Sequence, residues 1–328
     1  MRFRFLTAFI FTLLLPLAVS AQAIGSEEAF TVSVDPQYPA PYSQTVLSLL
    51  SSTLDLTNAT LAVSVAGKEI YRGSVRSVAV QIGKAGSVTN VKVTITSAGA
   101  SYSQILSIQP QDVALIAEPI SSSPPLYLGK SLVPLEGDVR VVAMANMQNA
   151  KGNVVDSSSL SYSWTVDGTQ IANASGIGKQ AIIVASPLQY RARSVSVAVV
   201  SQDGSLVGGA SFSLTAMNPS VRIYKNDPLL GILYDHVLSG TYAISNAEET
   251  LYAAPFSFPI TNGAPLLEWF LNGVVAQTGN SVTLRPSGSG QGSASLSLVA
   301  SDGESARATE ALSLSFGASK GGLGIFGL

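Results

Sequence analysis

The chain has 328 residues, and its 47 serines outnumber its charged side chains, of which 18 are basic and 20 acidic, while 46% of residues are apolar. That composition can build cores and is not that of a disordered chain, and a net charge of −2 with scattered Lys and Arg supplies no basic field for nucleic acid or an anionic membrane. With no cysteine and a single histidine, His236, thiol chemistry, disulfides and Cys/His zinc sites are excluded.

Residues 1–23 read as an export signal peptide. Arg2 and Arg4 precede an apolar run from Phe5 to Val19, and Val19-Ser20-Ala21-Gln22-Ala23 offers small residues at both cleavage registers. The run is shorter than the roughly 20 apolar residues of a spanning helix, and Pro16 falls near its end. The expected product is exported, to the periplasm, the cell surface or beyond, with no stable membrane span once the leader is cut. An exported chain without cysteine must be held by its cores alone.

From there on the chain reads as strands. Phe30-Thr31-Val32-Ser33-Val34, Leu61-Ala62-Val63-Ser64-Val65 and Val91-Lys92-Val93-Thr94-Ile95 alternate apolar with polar residues and predict a first sandwich over 28–110. Residues 111–137, with Pro119, Pro124, Pro125 and Pro134 among serines, are expected to be extended. Their Leu115, Ile116, Leu126, Tyr127 and Leu128 argue for a segment hugging domain surfaces, one that starts a second sandwich over 111–216. Val195-Ser196-Val197-Ala198-Val199 supplies a later strand of that domain.

After a short junction at 217–221, a third sandwich is expected over 222–316, with Leu296-Ser297-Leu298 and Leu312-Ser313-Leu314 among its strands. Its early part is aromatic-rich: Tyr224, Tyr234, Tyr242, Tyr252, Phe256 and Phe258. Residues 317–328 read as a flexible glycine-rich tail. The fold class predicted is all-β, a tandem of immunoglobulin-like sandwiches.

An internal repeat organises these runs. Val63-Ser64-Val65-Ala66-Gly67, Trp164-Thr165-Val166-Asp167-Gly168 and Trp269-Phe270-Leu271-Asn272-Gly273 align on a turn glycine with a large apolar residue four positions before it. Val63, Trp164 and Trp269 are therefore expected in the core, between paired sheets, and Gly67, Gly168 and Gly273 at hairpin turns. Aromatic-x-Val-Asp-Gly followed by a Val-x-Val strand and Asp-Gly resembles the immunoglobulin-like and PKD-like sandwich repeats of bacterial secreted and cell-surface proteins. The usual Gly-Asp-Gly of PKD repeats is replaced here by Val166-Asp167-Gly168 and Leu271-Asn272-Gly273. The resemblance implies a non-enzymatic structural or adhesion role, and the opening Pro36-Gln37-Tyr38-Pro39-Ala40-Pro41 extends it to proteins of pilus or envelope assembly.

No catalytic constellation accompanies the repeat. His236 lacks a serine on a nucleophile elbow, and Gly288-Ser289-Gly290 lacks a following helix to bind phosphate. Glu248-Glu249, adjacent on a strand, face opposite sides and read as solvated turn residues rather than a glycosidase pair. Asp167, Asp203, Asp235 and Asp302 lie at or near turns but form no Asp-x-Asp run for calcium. No catalytic, cofactor-binding or metal residue and no cofactor is assigned. The expected partners are other envelope or surface proteins, through strand-edge pairing. The competing reading is glycan binding by a stacking face of Tyr234, Tyr242 and Tyr252.

Overall fold

The computed structural model describes residues 29–287, 291–303 and 306–317. The leader at 1–23, the Gly288-Ser289-Gly290 loop and the tail beyond 317 lie outside the described residues. Strands and two single turns of 3₁₀ helix are the regular elements among those described, so the chain is all-β. It divides into two compact units, Met1–Pro110 and Gln111–Leu328.

The first unit is one sandwich of seven strands: β1 (Thr31–Asp35), β2 (Gln44–Leu50), β3 (Thr60–Val65), β4 (Lys68–Ser74), β5 (Val78–Gln81), β6 (Thr89–Ser97) and β7 (Ala100–Ile108). One sheet has the order β1-β2-β5 and the other β4-β3-β6-β7. Alternation does the sorting: Val91, Val93 and Ile95 of β6 and Leu61 and Val63 of β3 are fully buried and face Leu47 and Val80 of the opposite sheet. Each such side chain stabilises the fold by roughly 1.5–3 kcal/mol relative to exposure.

The second unit repeats this plan twice. Its first sandwich uses β8 (Asp112–Pro119), β9 (Asp138–Asn146), β10 (Ser161–Val166), β11 (Thr169–Gln170), β12 (Gly176–Ile177), β13 (Ala181–Ala185), β14 (Ala192–Val200) and β15 (Val207–Thr215). The sheets are β13-β9-β8 and β11-β10-β14-β15, with β12 also pairing β10. Strand β8 closes the side of the sandwich against β15. A Cβ on Gly208 would fall 2.7 Å from the Cβ of Gln111, so glycine is what allows the approach.

The next sandwich adds two strands to the plan. β16 (Ser220–Asp227), β17 (Gly231–Leu238), β18 (Gly240–Ile244), β19 (Glu249–Phe256), β20 (Leu266–Leu271), β21 (Val274–Thr278), β22 (Ser281–Leu284), β23 (Gly292–Ser301) and β24 (Arg307–Phe316) form sheets β17-β16-β19-β22 and β18-β24-β23-β20-β21. Strand β17 doubles back on β16, and β18 then crosses to the other sheet, where it pairs parallel to β24 from Gly240↔Leu312 to Ile244↔Phe316. The final strand of this sandwich is therefore covered by the chain's own backbone. The equivalent strands β7 and β15 end their sheets.

The hairpins that join the third and fourth strands of the common plan are built alike. Ala66-Gly67, Asp167-Gly168 and Asn272-Gly273 all sit at positive φ, near 50° and then near 80°. This is the type I′ pattern that matches strand twist. In each, the residue before the glycine donates its N–H across to the neighbouring strand, to Asn90, Ser194 and Ser295 respectively. Asp167 and Asn272 also accept from Ser194 N and Ser295 N, both at 2.9 Å.

Candidate functional site

The feature that sets the second unit apart is where residues 120–137 go. They connect β8 to β9, both in the same sheet of the second sandwich, yet they leave it and lie on the third. Ser122 N donates to the carbonyl of Phe258 at 2.8 Å, Ser257 N to Ser122 O at 3.2 Å, and Phe258 N to Ser122 Oγ at 3.1 Å. The buried hydroxyl of Ser257 contacts the carbonyls of Met217 at 3.1 Å and Val133 at 3.3 Å. The prolines explain the extended path, and the polar contacts satisfy backbone groups that a buried loop would otherwise leave unpaired.

The tip of the segment is apolar. Tyr127 meets Phe256 edge-on at 5.2 Å and Tyr234 at 6.0 Å, Tyr234 meets Tyr224 at 5.1 Å, and the Tyr234 hydroxyl donates to Pro125 O at 2.9 Å. Beneath it Tyr224, Tyr252 and Ala254 are buried. The other face of the same strands, with Val221, Ile223, Leu251 and Ala253, packs into the sandwich core. Strand β19 is thus buried on both faces, which is why it reads as the unbroken run Leu251-Tyr252-Ala253-Ala254 instead of alternating.

Trp164 and Trp269 are fully buried, as is Val63 in the first unit. The two indoles are anchored alike: Trp164 Nε1 donates to Lys179 O at 2.8 Å and Trp269 Nε1 to Gly279 O at 2.9 Å, each carbonyl lying just before the strand that closes the opposite sheet. The three tyrosines considered for a stacking face do not share one. Tyr234 and Tyr252 belong to the layer under residues 120–137, whereas Tyr242 lies on β18 in the other sheet and packs against the main core. Burial pushes the Tyr234 phenol up to about 12 and raises those of Tyr252 and Tyr242, the last also through its hydrogen bond to Glu249.

Glu249 corrects the solvated-turn reading of Glu248-Glu249. Glu248 is exposed and paired with Arg285 at 2.6 Å, but Glu249 is 4% exposed, takes Lys225 Nζ at 2.9 Å and accepts from the Tyr242 hydroxyl. Glu248 lies just before β19 and faces solvent, whereas Glu249, the first residue of the strand, faces inward. His236 is exposed on β17. Among the described residues no three histidine or carboxylate side chains converge as a metal site. Asp203 is engaged in its own turn, where Ser201 Oγ at 2.6 Å and Ser205 N and Oγ at 3.1 and 2.8 Å hold its carboxyl down at about 2. A shallow concavity of about 250 Å³ beside Asp167, Leu188, Arg191 and Arg193 brings no acid–base pair into position.

Sequence reading did not find Ser122, Ser257 or Tyr127 as a group. The one available signal was an apolar Leu126-Tyr127-Leu128 inside a proline-rich stretch, opposite an aromatic-rich strand pair with no alternation.

No family model matches the chain, and no curated protein does. Among solved structures it is similar to the three N-terminal domains of the bacteriophage RB49 outer capsid protein Hoc, at 14% identity over 88% of this chain and 99% of that one, with a TM-score of 0.23. The central fibronectin-III array of RIM-binding protein matches at 8% identity, 87% and 95% coverage and a TM-score of 0.29. The Bacteroides ovatus glucan-locus protein SGBP-B, solved with a mixed-linkage heptasaccharide, matches at 12% identity, 88% and 71% coverage and a TM-score of 0.22. Scores this low carry no argument about function. The fold assignment stands on the strand order above.

Proposed function

We propose that the chain is an exported, non-enzymatic structural or adhesion protein of a bacterial envelope or surface, which holds immunoglobulin-like sandwiches at fixed spacing as a spacer or a protein-interaction module. The observation that carries this reading is the splice of the second sandwich onto the third. A long loop is spent on joining two domains through backbone hydrogen bonds and an aromatic layer, and none of its side chains is arranged for bond chemistry. The basic and apolar character of residues 1–23 supports export. The aromatic packing at Tyr234 and Tyr252 leaves the glycan reading without its stacking face.

Because the chain has no cysteine, it can be labelled at will. Spin labels on Lys151→Cys and Gln277→Cys, both exposed and one on each spliced sandwich, are expected to give a single narrow distance distribution. A broad distribution overturns the spacer reading. Fractionation of bacteria expressing the full chain is expected to place the mature form in the envelope or outside the cell, and retention in the cytosol overturns export.

A further inference from the structure

We propose that β7 of the first sandwich is a self-association edge, which pairs antiparallel with β7 of a second copy about a twofold axis through Gln104. This rests on the protein-interaction reading and names its partner and register.

The argument starts from how each sheet edge is protected. Exposed edges ordinarily carry charge, proline, a bulge or a covering segment. Here β4 carries Lys68, Glu69 and Arg72, β8 carries Asp112, Glu118 and Pro119, and β17 carries Asp235 and His236. Strands β1, β5, β11, β13, β21 and β22 are five residues or shorter. Strand β24 is covered by β18, and β15 has β8 packed along it. Strand β7 has none of these: Ala100–Ile108 is nine residues without charge or proline, and β1, only five residues long, has no comparable packing against it.

The centre of this edge holds an unmet hydrogen-bond requirement. Gln104 stands opposite the fully buried Val93 and therefore on the core side of the sheet, and its Oε1 is buried without a partner. It is also the middle residue of the nine. Pairing about a twofold axis at this position sets Gln104 against Gln104 of the second copy, with Cβ atoms roughly 4.5–5.5 Å apart. Each carboxamide can then donate to the other's Oε1. The same register sets Tyr102 against Leu106, Ser103 against Ile105 and Ser101 against Ser107. It covers Tyr102 and Ile105, which are 36% and 60% exposed, and opposes no like charges. The result is one continuous sheet of two four-stranded halves, an isologous interface that closes on itself.

Sedimentation equilibrium of the full chain from low to high micromolar concentration is expected to show a reversible monomer–dimer equilibrium. Ile105→Lys, on the exposed outer side of β7, is expected to weaken dimerisation at least about tenfold. Gln104→Glu and Gln104→Lys are each expected to be monomeric, and an equimolar mixture of the two to regain dimer, which misfolded variants could not do. A wild-type chain that stays monomeric, a dimer that survives Ile105→Lys, or a mixture that does not recover overturns the proposal. None of those outcomes touches the spacer reading, which the label distances between the second and third sandwiches test separately.

Discussion

The ring of Tyr127, carried by the second sandwich, stands edge-on to the ring of Phe256 in the third at 5.2 Å, with an interplanar angle of 73°. Edge-on pairs contribute about 0.5–1.5 kcal/mol beyond their area, and Tyr127 makes a second one with Tyr234. Tyr127→Ala is therefore expected to cost about 1–3 kcal/mol in urea unfolding, felt in the third sandwich although the residue belongs to the second. It should also open Tyr234 to water, and ultraviolet titration should show its phenol falling from about 12 toward the ordinary value near 10. An unchanged titration would separate the ring contact from the burial.

The two tryptophans report on separate sandwiches, since the chain has no others and both are fully buried. Trp164→Phe leaves emission from Trp269 alone, and the reverse change leaves Trp164. Both single-tryptophan proteins are expected to emit at blue-shifted wavelengths when folded, and Trp269→Ala to destabilise its sandwich by about 3–5 kcal/mol. Because the splice joins the two domains, loss at Trp269 should also lower the midpoint read from Trp164 in that variant.

The Glu249 carboxylate is held by Lys225 and the Tyr242 hydroxyl at the inner end of β19. Glu249→Gln removes the charge that both partners face and is expected to cost on the order of 2 kcal/mol. The double change Lys225→Met with Glu249→Leu should recover much of that loss, because it leaves no charge stranded. Chemical denaturation of the two variants beside the unchanged chain checks the pattern.

Asp203 gives the pH dependence a defined sign. Its folded value of about 2 lies below the unfolded value of about 3.9, so its stabilising contribution is present above pH 4 and is lost as pH falls toward 2. Asp203→Asn should flatten the acid limb of the stability profile in that window while leaving it unchanged near neutrality in slope. Carboxyl carbon shifts followed by NMR against pH would locate the midpoint directly.

The all-β architecture was legible because its signals are local. Alternation places Val91, Val93 and Ile95 on one side of a strand, and Asp167-Gly168 or Asn272-Gly273 specifies a hairpin within four residues. The splice was not legible, because Ser122 and Phe258 are 136 positions apart and their hydrogen bond leaves no periodic trace. The tyrosines of the third sandwich were ambiguous for a related reason. A strand pattern tells which residues share a face, but whether Tyr224, Tyr234 and Tyr252 meet water depends on what another domain lays over them. Glu249 was misread because an acid beside a second acid suggests a turn, whereas its ammonium and phenol partners, Lys225 and Tyr242, arrive from other strands.

The anchoring of residues 120–137 also bears on how the chain could be cut into separate domains. A break of the chain near Met217 would separate Ser122 from Phe258 and expose Tyr224 and Tyr252 on one side. Neither the second nor the third sandwich could therefore be transplanted alone without leaving part of that aromatic layer open to water.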